Sequence, residues 1–157
     1  MPDFQEMLDG ARLRELPVPI ALDGIASAEL DALEAEFEGL GEWESTSMGD
    51  VNPAIDLIAR IEAARAKVRT SVVTLRFRAM GSRKYSSLVA AHPAPEGSDE
   101  RYDPTTFLPV LLATCCIEPV MSQPQVMVLL DTVNGGQAQQ MYDAALAVNE
   151  EPSPIPF

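Results

Sequence analysis

Apolar and polar positions change period several times along these 157 residues, and each change marks an element. Leu30, Leu33, Phe37 and Leu40 recur at spacings of three, four and three, which places them on one stripe of a helix. Ser27 precedes them as an N-cap, and Glu29 and Asp31 fall in the first turn, where the helix dipole favours acids. Gly39 and Gly41 end the run. Asn52-Pro53 opens a second helix, because proline is tolerated at the first helical position. Ile58, Ile61 and Val68, with Ala54 and Ala64 or Arg65 between them, form its stripe to about residue 69. A polar loop over 41–50 joins the two, which predicts an antiparallel helical hairpin. Arg65, Lys67 and Arg69 would face the acidic first helix. Exposed pairs of that kind contribute only ~0.2–1 kcal/mol each, so the apolar stripe must supply most of the stability.

Strand patterns flank the hairpin. In SVVTLRFR at 71–78, Val73, Leu75 and Phe77 lie on one face and Val72, Thr74, Arg76 and Arg78 on the other. Its one local partner is LPVPIAL at 16–22, where Pro17 and Pro19 allow an edge strand only. A free edge on such a ribbon would permit self-association by strand addition. The second half reads as short helices. SRKYSSLVAAH at 82–92 sets Tyr85, Leu88 and Val89 on one side. Asp103-Pro104 starts TTFLPVLLATCC, which Pro109 should kink or divide. Ser122 to Gln125 is a capping box before Val126, Leu129 and Leu130. Asn134-Gly135-Gly136 reads as a turn, followed by a last helix marked by Met141, Tyr142, Ala145 and Val148.

The expected fold is therefore α+β and mostly helical: an antiparallel helical hairpin on a short two-stranded ribbon, followed by a bundle of short helices. The boundaries are an arm, flexible or a short helix, over 1–15, a strand–hairpin–strand region over 16–80, a small helical domain over 81–149 and an exposed proline-rich tail over 150–157.

Composition adds a constraint on partners. Hydrophobic residues make up 46% and aromatic ones only 6%, so the core must be aliphatic. The net charge of −13 argues against nucleic acid and anionic membranes. Yet residues 60–84 carry eight basic side chains and one acidic, a tract to be neutralised within the fold or by a like neighbour in an oligomer. No apolar run approaches the roughly 20 residues needed to cross a bilayer, and the N-terminal MPDFQEMLDG does not read as a signal peptide.

Candidate chemistry is sparse, and a non-enzymatic protein without metal or cofactor is expected. His92 is the one histidine and reads as a helix cap or surface residue. Cys115 and Cys116 are adjacent, lack the spacing of a zinc or redox motif, and read as buried thiols. GSRK at 81–84 lacks the glycine pattern of a phosphate loop. The acidic series Glu34, Glu36, Glu38, Glu42 and Glu44 reads as a solvated helix face. Arg76 and Arg78 can pair with carboxylates of a partner or within the fold, and the tail ending in Phe157 can serve as a docking peptide or stay disordered.

From residue 71 onward the chain resembles the tail assembly chaperones of long-tailed, siphovirus-type phages of actinobacteria. The resemblance is carried by a strand ending in arginines, by RKYSSLVAAHPAP at 83–95, YDPTTFLPVLLATCCIEPVMS at 102–122 and GGQAQQMYDAALAVNE at 135–150. Its marker positions are Tyr85, Leu88, His92, Pro93, Asp103, Phe107, Pro109, Leu111, Leu112, Pro119 and Asn149. The charged hairpin upstream is also similar, although the basic tract of 60–84 is not accounted for by the family. The resemblance implies a protein that binds the tape measure protein, helps recruit tail tube subunits, acts in the host cell cytoplasm and is absent from the mature virion. It also implies a longer form made by ribosomal frameshifting near the C-terminal end. Candidate protein-binding residues are Arg76, Arg78, Tyr85, Phe107, Leu111, Tyr142 and Phe157, with the aromatic and leucine positions read as core or groove floor between the short helices. A homo-oligomer is an open expectation. The alternative readings are a structural or adaptor component of the head–tail apparatus and a small regulatory protein-binding module.

Overall fold

The computed structural model describes residues 1–41, 49 and 51–156. Most of the loop expected over 41–50, with Glu42 and Glu44, lies outside the described residues, as does Phe157. The elements are α1 (Phe4–Asp9), β1 (Glu15–Ala21), α2 (Gly24–Gly39), α3 (Pro53–Thr70), β2 (Val72–Arg78), α4 (Ser82–Ala91), α5 (Pro104–Cys115), β3 (Cys116–Glu118), α6 (Gln123–Thr132) and α7 (Gly135–Glu150). The chain divides into two compact units, one of Pro19–Val73 and one of Met1–Val18 with Thr74–Phe157. Strands β1 and β2 both run through the boundary.

The fold is mostly helical with a small antiparallel sheet, and it has three strands in the order β1-β2-β3 where two were expected. The added strand, β3, pairs antiparallel with β2 through Phe77–Cys116 and Arg76–Glu118. Only three residues long, it hides inside the apolar run that reads as the end of the preceding helix. Between β1 and β2, the amide of Leu22 donates to Ser71 O at one end and the amide of Ala79 to Arg14 O at the other. That antiparallel register turns the backbone of alternate β1 residues, Pro17 and Pro19 among them, away from β2. The two prolines thus sit at outward positions, where a strand adding to this edge would need N–H donors, so β1 resists the strand addition that a free edge would otherwise invite. The facial pattern of β2 is as expected: Leu75 and Phe77 are buried, and Val72, Thr74 and Arg78 are exposed.

In the Pro19–Val73 unit, α2 and α3 pack as the expected hairpin, with a core of Leu33, Leu57, Ile61 and Ala64 flanked by Leu30 and Leu40. Two details differ from expectation. The cap of α2 is Asp23, whose side chain accepts from Ala26 N, so the helix starts before Ser27. In α3, Leu57 is buried at 3% exposure and Ile58 stands out at 48%, so the stripe runs through Leu57, Ile61 and Ala64. Asn52 caps α3 with Pro53 in its first turn.

In the larger unit, Phe77, Phe107, Leu111, Leu112, Cys115, Val126 and Met141 are fully buried and form the interior. Asp103 caps α5, which runs unbroken through Pro109. Of the kink or division expected at Pro109, the division does not occur: only the Thr105 carbonyl loses its helical donor there, and Thr105 is exposed to water. The Ser122–Gln125 capping box on α6 forms as expected. Asn134 and Gln137 form a second one, so Gly135 and Gly136 open α7 and are not a separate turn. Among the described residues, no helix is long and apolar enough to cross a membrane.

Candidate functional site

The hairpin exposes apolar surface on the side that its own core leaves open. Leu33 and Leu57 turn inward, while Phe37 on α2 and Ile58 on α3 remain 40% and 48% exposed. With Ile61 they make the apolar floor of a groove of about 400 Å³ rimmed by Glu34, Glu38, Glu62 and Arg65. Arg65 donates to Glu62 at 3.0 Å and to Glu34 at 3.3 Å, and Lys67 lies 3.8 Å from Glu29. The pairs to Glu34 and Glu29 cross between the helices as expected, the pair to Glu62 lies within α3, and Arg69 meets no carboxylate among the described residues; the pairs are all solvent-exposed. They align the helices without adding much stability.

A second groove, of about 700 Å³, lies along α4 and is lined by Met80, Arg83, Lys84, Ser87, Leu88 and Ala91. Its residues follow one helical stripe, with Arg83 and Lys84 on the first turn between Met80 before the helix and Leu88 and Ala91 farther along it.

A polar cluster closes one end of α7. The Tyr85 hydroxyl donates to Glu150 Oε1 at 2.8 Å, and the Arg101 guanidinium bonds the same oxygen. Burial, followed by the hydrogen bond and charge of Glu150, pushes the Tyr85 phenol well above its ordinary range, and Arg101 offsets part of this. One residue earlier, Asn149 accepts from Met80 N at 2.9 Å and donates to Ala145 O and Cys115 Sγ. It ties α7 to the segment between β2 and α4 and to the end of α5. Cys115 and Cys116 are free and buried, and desolvation raises both thiols above their ordinary value.

The residues singled out from sequence do not gather in one place. Arg76 and Arg78 both reach Glu15 on β1, at 3.9 and 3.1 Å, so their nearest carboxylate is within the fold. Tyr85 and Phe107 meet edge to face with centroids 6.2 Å apart. Phe107 also touches the rings of His92 and Tyr102, and it has no exposed surface; nor has Leu111. A ligand could reach either only by opening the core, so both belong to the interior and not to a groove floor. Tyr142 is half-buried, and burial raises its phenol. His92 caps α4, with Nδ1 3.0 Å from Thr106 Oγ1. Glu15, Arg101 and Glu150 escape a sequence reading because their partners lie roughly fifty or more residues away. The α3 phase was legible, since Leu57, Ile61, Ala64 and Val68 keep spacings of four, three and four.

Among the described residues, no group of three or more His, Cys, Asp or Glu is placed to hold a metal ion. No protein-family model, curated protein or solved structure matches the chain.

Proposed function

We propose that the chain is a non-enzymatic tail assembly chaperone of a long-tailed phage, which binds the tape measure protein and assists tail tube assembly in the host cytoplasm. The observation that carries the reading is the hairpin groove: Phe37 and Ile58 left half-exposed beneath a mainly acidic rim, outside the buried core of Leu33, Leu57, Ile61 and Ala64. Such a groove suits an amphipathic helix with an apolar face and basic flanks. A long helical client would offer many such segments. The sequence resemblance, centred on Tyr85, His92, Asp103, Phe107 and Asn149, gives the client its identity. Those residues lie in the larger unit, around Phe107 and the α7 clasp, and support the reading as scaffold.

The test is co-expression with the tape measure polypeptide of the same phage. Wild-type chain should keep that polypeptide in the supernatant and co-purify with it. Replacing Phe37 and Ile58 together by Ser should abolish both effects while circular dichroism shows the helices still folded, since neither side chain belongs to the buried core. A tape measure polypeptide equally soluble with and without the chain would overturn the proposal. Stoichiometric recovery of the chain from purified virions would favour a structural head–tail component instead.

A further inference from the structure

The six residues of α1 form a helix capped at both ends: Asp3 accepts from Glu6 N at 2.9 Å, and Gly10 N donates to Glu6 O. None of its residues is buried, and Phe4, Met7 and Leu8 stand in solvent at spacings of three and one, on one face. A helix this short is marginal in water unless packing holds it, since isolated helices need about 12–15 residues. Its partner surface is therefore missing from the single chain. The helix and its cap carry three carboxylates, Asp3, Glu6 and Asp9.

The groove on α4 has the complementary character. Met80, Leu88 and Ala91 offer apolar surface, and Arg83 and Lys84 stand between Met80 and Leu88 along the chain. In the same unit Arg14, Arg76, Arg78 and Arg101 each meet a carboxylate. Arg83 and Lys84 meet none among the described residues. The root of the arm also lies beside the root of the groove, because Ala79 N donates to Arg14 O at 2.8 Å and Met80 follows directly. In the single chain the arm nonetheless stays out of the groove, as the exposure of Phe4 and Met7 shows.

We propose that α1 of one copy docks on the α4 groove of a second, giving a two-fold dimer with exchanged arms. Adjacent roots let one axis seat both arms at once, each apolar face covering a groove and each set of carboxylates approaching Arg83 and Lys84. This use of the basic tract is separate from client binding at the hairpin, and its test does not involve a client.

Sedimentation equilibrium of the full chain should show a reversible monomer–dimer equilibrium. Replacing Met7 and Leu8 together by Glu should leave a monomer at every concentration, with unchanged melting of that monomer because neither side chain is buried. Replacing Arg83 and Lys84 together by Glu should weaken the dimer about tenfold, and adding Glu6→Lys with Asp9→Lys should restore it. A wild-type monomer throughout the concentration range would overturn the proposal, as would a dimer indifferent to the Met7 and Leu8 changes. Failure of the charge reversal to rescue would equally overturn the assignment of the α4 groove.

Discussion

The two units solve the problem of burying apolar surface differently. In the larger one, Phe107 is enclosed by Tyr85, His92 and Tyr102, while Leu111, Leu112, Val126 and Met141 have no exposed surface. In the hairpin the seam is two helices thick, Leu33 and Ile61 keep some contact with water, and Phe37 and Ile58 are left outside. A closed interior makes a unit rigid because local opening would expose all of it together, whereas a single seam can part at lower cost. The difference in burial therefore predicts a difference in local stability between the two units.

The sharpest way to break the contrast is to cut into each core. Phe107→Ala should cost about 3–5 kcal/mol and lower the whole unfolding transition in denaturant. Leu57→Ala should cost about 2–3 kcal/mol, concentrated in the hairpin, so hydrogen exchange should rise over α2 and α3 with little change in α5 and α7. Equal loss of protection in both units would end the comparison. Next in size is Asn149→Ala, which strands the Met80 amide and frees α7 from the end of α5; about 1–3 kcal/mol is expected by thermal unfolding.

Tyr85 tests the clasp through pH. Its phenol is raised above the ordinary value of 10.0, so the folded state holds the proton more tightly than the unfolded one. The resulting stability is complete below about pH 10 and is lost as pH rises beyond it. Tyr85→Phe should cost about 1 kcal/mol at neutral pH and flatten the alkaline fall in melting temperature. An unchanged alkaline limb would show that other groups govern it. The smallest effect belongs to the hairpin rim: Arg65→Met should change stability by roughly 0.2–1 kcal/mol, less in high salt.

What the sequence discloses follows from the range of the forces involved. Caps act over two or three residues, and Asn52-Pro53, Asp103-Pro104 and Ser122–Gln125 announce their helices. The same local rule identifies Asn134–Gln137, but the two intervening glycines imitate a turn. Asp23 is masked in the same way by Gly24. Leu57 and Ile58 are apolar neighbours that compete for one stripe, and only the spacing to Ile61 and Ala64 sets the phase that buries Leu57. The long-range pairs, Glu15 with the β2 arginines and Glu150 with Tyr85 and Arg101, leave no local trace. The hairpin groove was half legible: its apolar residues stand out, but which of them the core would leave unused depends on helix rotation.

The placement of Pro17 and Pro19 bears on how this molecule behaves when crowded. With its outer rim stripped of donors at two positions, β1 offers little template on which another copy could grow a continuous ribbon. The opposite edge, β3, is only three residues long, so helical faces are the broader surface for assembly. A pair of helical contacts related by a two-fold axis uses up both of its surfaces, so association through such a pair ends at two copies.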